Sequence, residues 1–129
     1  MADKIVLADT SILIDYFRKT DKSNSALIKL YQKGYDFCIS AITEYEIYSG
    51  ATEVQIPFWN EILKRTKVLA FDKSVVKTAV EMNNDLKRKR KQINLADLFI
   101  AATALANDLS LSTLNKKHFE RIESLEIVE

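Results

Sequence analysis

Three acidic residues, Asp9, Glu46 and Asp97, stand beside apolar segments far apart in the chain, and Asn115 follows a further such segment. The first acid is the most telling. The run Ile5-Val6-Leu7-Ala8 ends abruptly in Asp9, then come Thr10 and Ser11, then a segment with helical periodicity. That pattern reads as a buried strand carrying a carboxylate to its C-terminal edge, where open parallel sheets bind ligands. A carboxylate there loses hydration unless a cation, a proton or hydrogen-bond donors satisfy it. Our reading is that a divalent metal ion does so, shared by Asp9, Glu46 and Asp97. Gathered without metal, three carboxylates repel one another and at least one tends to keep a proton. A hard dication with oxygen ligands removes that penalty.

Each acid also has a purely structural reading. Asp9-Thr10-Ser11 fits a helix N-cap. Thr43 to Glu46 fits a capping box, which would put Glu46 in the first turn of its helix. Asn94 and Asp97 share that spacing, and an acid at a helix N-terminus is favoured electrostatically.

The elements that must position these residues follow from periodicity. Lys4 to Ala8 is expected to be a strand, and Ile12 to Lys19 a helix with Ile12, Leu13, Tyr16 and Phe17 on one face. A second helix spans Ser23 to Lys33, with Gly34 as its C-cap. Asp36 to Ala41 is the second strand, and Thr43 to Ser49 starts a helix closed by Gly50. Ile56 to Thr66 is helical, with Pro57 early, where its missing N–H does little harm. Val68 to Phe71 is a third strand, and Asp72 or Ser74 caps a long helix carrying Val75, Val76, Ala79, Val80 and Leu86. Asn94 opens another helix, Leu109 to Thr113 is a fourth strand, and Leu125 to Val128 a short fifth one. Strands alternating with helices imply a parallel sheet of four to five strands covered on both faces. Positions after strands then share one edge. Asp97 needs a further condition, because a helix that precedes a strand normally starts at the opposite edge. The preceding long helix must return the chain.

Composition sets the class. The 129 residues, 47% hydrophobic and 29% charged, suit one soluble globular domain over residues 1–129. With 19 basic and 18 acidic residues, net charge points to no partner. The lone Cys38, in the apolar run Phe37-Cys38-Ile39, excludes an intrachain disulfide and fits a reducing, cytoplasmic setting. No basic-then-apolar leader is visible, and no apolar run approaches the roughly 18 residues of a membrane span.

The stretches LADTSILIDYF around Asp9, ISAITEYEIYSGA around Glu46 and NLADLFIAATALANDLSLSTLNKKHF around Asp97 and Asn115 resemble the PIN-domain ribonucleases, in particular the VapC toxins of bacterial toxin–antitoxin pairs. The likeness runs from about Lys4 to the C-terminus, and the Asp97 block is its most specific part. It implies a three-layer α/β/α sandwich and a magnesium- or manganese-dependent endoribonuclease. Asp9, Glu46 and Asp97 match the family's acidic metal site. Asn115 stands where many PIN domains carry a fourth aspartate. Its carbonyl can still ligate metal or orient water, although the missing charge weakens the case for a second ion. Lys91-Gln92-Ile93 replaces a segment that usually holds a glycine. Glu44 competes with Glu46, but Glu46 keeps the family's acid-to-glycine spacing up to Gly50. The resemblance also implies an RNA substrate, an antitoxin protein as partner and a homodimer. The alternative is a degenerate PIN fold that binds RNA or protein without cutting.

Around this site, Ser11 and Thr113 are expected to position water or a phosphate oxygen, with turn bonding as the plain alternative. His118 is expected at the surface or in packing, since metal-assisted hydrolysis does not require it, with a general-acid role as the alternative. Lys87, Arg88, Lys89, Arg90 and Lys91 hold five of the 19 basic residues and are expected to rim the cleft and meet RNA phosphates. The plain alternative is a solvated helix end. Aromatics crowd the first half of the chain. Trp59 is expected in the core, or else as an exposed anchor for a helical partner segment.

Overall fold

The computed structural model describes residues 4–128, so residues 1–3 and 129 of the expected domain lie outside the described residues. Four parallel strands, β1 (Lys4–Ala8), β2 (Tyr35–Ser40), β3 (Val68–Leu69) and β4 (Ser110–Ser112), form one sheet in the order β3-β2-β1-β4. Among the described residues, seven α-helices surround it: α1 (Thr10–Arg18), α2 (Ala26–Gln32), α3 (Ala41–Gly50), α4 (Ile56–Leu63), α5 (Lys73–Arg88), α6 (Leu95–Ala106) and α7 (Lys116–Phe119). A 3-10 turn at Lys22–Asn24 leads into α2, where an unbroken helix from Ser23 was expected. The expected fifth strand at Leu125 to Val128 is a single parallel bridge, Leu111 to Ile127, flanked by two backbone bonds of 2.8 Å.

The alternation of side chains along β1 decides the layers. Leu7 points into one core with Val75, Ala79, Leu98, Ala101 and Phe119, while Val6 and Ala8 point into another with Ile12, Leu13, Ile39 and Trp59. A strand apolar on both faces must be covered on both faces, so α5 and α6 line one core and α1 to α4 the other. The alanine-rich α6 fits because Ile100, Ala101, Ala102, Thr103 and Ala104 are all at most 1% exposed. Small side chains let its backbone approach its neighbours closely. Trp59 lies in the second core, 2% exposed and stacked on Phe17 at 5.3 Å between ring centroids, so it is packing and no docking anchor. Of the apolar residues that α5 carries, Val76 and Val80 are exposed, as is Leu95 of α6.

The strand order creates the crevice. From β1 the chain steps out to β2 and β3, then crosses back to β4 on the other side of β1. The chain leaves β1 toward β2 but leaves β4 toward the Leu111–Ile127 bridge on the far side, which opens a gap at the carboxyl ends of β1 and β4. The Asp9 N–H, donating to the Ser112 carbonyl at 2.9 Å, ties the two strand ends together there.

Helix α5 ends in a Schellman motif: the Lys91 N–H donates to the Leu86 carbonyl at 2.9 Å, and the Arg90 N–H to the Lys87 carbonyl at 3.1 Å. Arg90 sits at φ 57°, the left-handed conformation that glycine adopts freely. At the corresponding end of α2 the residue is Gly34, φ 89°. Replacing Arg90 with glycine is therefore expected to stabilise the fold, by roughly 0.5–1 kcal/mol once the freer unfolded chain is allowed for. Urea unfolding measures this, and an Arg90→Gly variant less stable than wild type would contradict it.

Candidate active site

The carboxyl edge of the sheet opens into a cleft of about 750 Å³ lined by Asp9, Glu46, Asp97 and Asn115. All four residues singled out from the sequence thus meet in one place. Glu46 comes from α3, which follows β2, and Asn115 from the turn after β4. Asp97 arrives because two packed helices, α5 and α6, separate β3 from β4, and the start of α6 faces the cleft with Asn94, Ala96 and Asp97.

Asp9 is 4% exposed. It occupies the N-cap position of α1 but makes no capping bond. Its Oδ2 instead accepts from the Ser11 hydroxyl at 2.8 Å and the Thr113 hydroxyl at 2.7 Å. Those hydroxyl oxygens in turn accept from the backbone: Leu114 N–H donates to Ser11 at 3.0 Å and Asn115 N–H to Thr113 at 2.9 Å. Strand ends β1 and β4 are thereby cross-linked through one carboxylate. Both hydroxyls stand within hydrogen-bond distance of Asp9, so in this geometry Ser11 and Thr113 hold the carboxylate.

Glu46 lies in the second turn of α3, not the first. The helix begins earlier than expected, at Ala41, and its cap is the buried Ser40, whose side chain accepts from the Thr43 N–H at 3.0 Å. Glu46 is therefore released from capping. The Thr10 hydroxyl donates to its Oε1 at 2.6 Å and lies 2.9 Å from the Thr43 hydroxyl. Residues 9 to 11 thus carry one buried carboxylate and two hydroxyls, and the hydroxyls orient two acids from different elements.

Asp97 does take part in a cap. Asn94 accepts from the Asp97 N–H at 2.9 Å and returns a side-chain bond to Asp97 Oδ2 at 2.8 Å. His118 Nδ1 stands 3.0 Å from the same oxygen. Burial, then the nearby charge of Asp9, hold the Asp97 carboxyl above the ordinary carboxylate range, while Asn94 and His118 pull the other way. Both causes disfavour the charged form, desolvation first and the neighbouring like charge second.

Sequence reasoning left His118 outside the site. The signal was its position three residues after Asn115, one helical turn away. It also missed Arg18 and Lys19, which line the same cleft. Lys87, Arg88, Lys89, Arg90 and Lys91 do not line it. All five are exposed, Lys89 is paired with Asp85 at 3.1 Å and Glu123 at 3.3 Å, and Arg88 with Asp85 at 3.2 Å.

The donors fit a hard cation, since they are carboxylate and carboxamide oxygens. Among the described residues, no three His, Cys, Asp or Glu side chains converge closely enough to hold an ion by themselves. Magnesium does not need such a cage: it keeps several waters and takes one or two carboxylates together with substrate phosphate oxygens.

Residues 6–125 match the PIN domain family, and the chain belongs to it. It is 34% identical over 119 residues to Ribonuclease VapC1 of Methanocaldococcus jannaschii, covering 92% of this chain and 81% of that one. In structure it is similar to VapBC-1 from nontypeable Haemophilus influenzae, with a TM-score of 0.83, 26% identity and 97% of each chain covered. It is also similar to a toxin-antitoxin complex from Klebsiella pneumoniae, with a TM-score of 0.73, 28% identity and 96% of each chain covered.

The raised Asp97 pKa has a sign that can be tested. A carboxyl whose pKa rises on folding favours the fold while protonated and loses that contribution as pH climbs through the raised value. At neutral pH without metal, the Asp97 charge therefore opposes folding. Asp97→Asn is expected to melt a few degrees above wild type in EDTA at neutral pH, and the gap should shrink in acid. Saturating magnesium should reverse the order. A variant that melts lower in EDTA would mean that its bonds to Asn94 and His118 outweigh the cost of burial and of the Asp9 charge.

Proposed function

We propose that this protein, acting as one nuclease domain over residues 1–129, is a metal-dependent endoribonuclease and the toxin of a type II toxin–antitoxin pair, working in the cytoplasm. The observation that carries the reading is the convergence of Asp9, Glu46, Asp97 and Asn115 on one cleft at the switch point of a PIN-family sheet. The ribonuclease name of a relative 34% identical over most of the chain supports the reaction class. Structural likeness to a toxin-antitoxin complex supports an antitoxin protein as partner, and a homodimer is part of the same proposal.

Asp9, Glu46 and Asp97 would hold a magnesium or manganese ion, with the Asn115 carboxamide oxygen as a neutral fourth donor. When bound, the ion supplies charge relief on the phosphoryl oxygens and a more acidic water. The protein's own part is orientation. Ser11 and Thr113 both grip Asp9 through Oδ2, which leaves Oδ1 for the cleft. Thr10 fixes Glu46, and Asn94 with His118 fixes Asp97. Locked ligands keep the attacking water and the RNA phosphate in line without reorganisation at each turnover. Lys87 to Lys91 lie off the cleft, so any contact they make with RNA is away from the scissile phosphate.

Cleavage of single-stranded RNA is expected to need magnesium or manganese and to stop in EDTA. Asp9→Asn is expected to lower kcat by more than the ~10–100-fold typical of losing a ligand's supporting partner, with the fold intact by circular dichroism. Thr113→Val, which removes one such support, should fall within that range. Cleavage by Asp9→Asn at the wild-type rate would reject the mechanism, and an absence of cleavage of any RNA by wild type would favour a binding module.

A further inference from the structure

We infer that Arg18 is the residue that fixes the RNA strand along the cleft, by binding a phosphate that flanks the scissile one. The inference rests on the nuclease reading of the site and adds a positioning residue to it.

The acids alone make the cleft hostile to a polyanion. Cations must therefore meet the strand outside the metal site. Helix α1 supplies the track. Ser11, Ile14, Asp15 and Arg18, at the i, i+3, i+4, i+7 spacing of one helical face, all line the cleft. The opposite face, with Ile12 and Leu13, is buried in the core. One side of α1 thus runs as a wall from Asp9 outward, and at 1.5 Å per residue Arg18 stands about 10 Å along it from Ser11. That separation suits a phosphate further along the strand than the one at the acids.

The neighbouring charges single out Arg18. Asp15, the other acid on this wall, accepts from the Ala26 N–H at 2.8 Å and is paired with Lys19 at 3.7 Å. Its charge is therefore largely met, and Lys19 is engaged in meeting it. Among the described residues, Arg18 forms no ion pair and is exposed, the one fixed cation of the cleft lining without a carboxylate partner. A guanidinium at the last turn of a helix, planar and always charged, offers a phosphate two parallel N–H bonds. The basic block at Lys87 to Lys91 does not compete for this task, because it lies away from the cleft and its Arg88 and Lys89 are paired.

The test measures binding of a short fluorescent single-stranded RNA of mixed sequence in EDTA, across a salt series, and separately cleavage of the same RNA with magnesium. Arg18 is exposed at a helix end, so its replacement leaves the fold in place. Arg18→Gln is expected to bind severalfold more weakly at low salt, with the slope of log K against log salt shallower by ~0.7, the value for one lost single-strand phosphate contact. KM should rise with kcat unchanged, and Arg18→Lys should recover the slope. An Arg18→Gln variant with wild-type affinity and slope overturns the inference. So does a slope that falls instead on charge reversal of Lys89 and Arg90, or an absence of RNA binding by wild type. Failure of the nuclease reading would look different: the wild-type protein would cleave nothing while Arg18→Gln still weakened RNA binding.

Discussion

The cost of burying the Asp9 and Asp97 carboxylates at one cleft is the constraint around which this site is arranged. Asp9 is almost fully buried at the end of the central strand, and burial first, then the charge of Asp9, holds Asp97 above the normal carboxylate range. Desolvated like charges oppose folding unless something offsets them. Hydroxyl donors offset part of the penalty, through Ser11 and Thr113 on Asp9 and Thr10 on Glu46. Asn94 and His118 do the same for Asp97. None of these groups except a protonated His118 carries positive charge, so they orient the acids without neutralising them. The remaining negative potential is what a dication would meet.

The fold explains why such a costly arrangement is held in place. Asp9 follows a strand sealed on both faces, and its backbone is tied to β4 through the Ser112 carbonyl. The Ser11 and Thr113 hydroxyls accept from backbone N–H groups of the loop after β4, so the carboxylate, the loop and the start of α1 form one hydrogen-bonded unit. Among the described residues, every buried side-chain nitrogen and oxygen has a partner. A network satisfied in this way is rigid, and a rigid set of ligands is what oriented hydrolysis needs.

The sheet and most of the site were legible in the residues. Period-2 and period-3.6 patterns placed β1, β2 and the helices, and the resemblance to PIN-domain ribonucleases selected the acids that the cleft unites. Errors fell where local signals compete. Thr43 to Glu46 has capping-box spacing, but Ser40 lies one turn earlier and is buried at the strand end, so it takes the cap and α3 begins sooner. The pattern at Leu125 to Val128 is strand-like, yet only Ile127 meets Leu111, which leaves a bridge. Charge density in the sequence drew attention to Lys87 to Lys91, whereas position on a helix face, which a count of charges does not register, brings Arg18 to the cleft. His118 was missed because its contact to Asp97 joins residues 21 apart that share no element.

The most direct measurement is anomalous diffraction from crystals soaked in manganese. The account predicts one strong peak in the cleft, within ligand distance of an oxygen of Asp9 and of at least one of Glu46 and Asp97, and absent from Asp9→Asn crystals. Manganese bound elsewhere, or a peak in the cleft that persists without the Asp9 carboxylate, would contradict it.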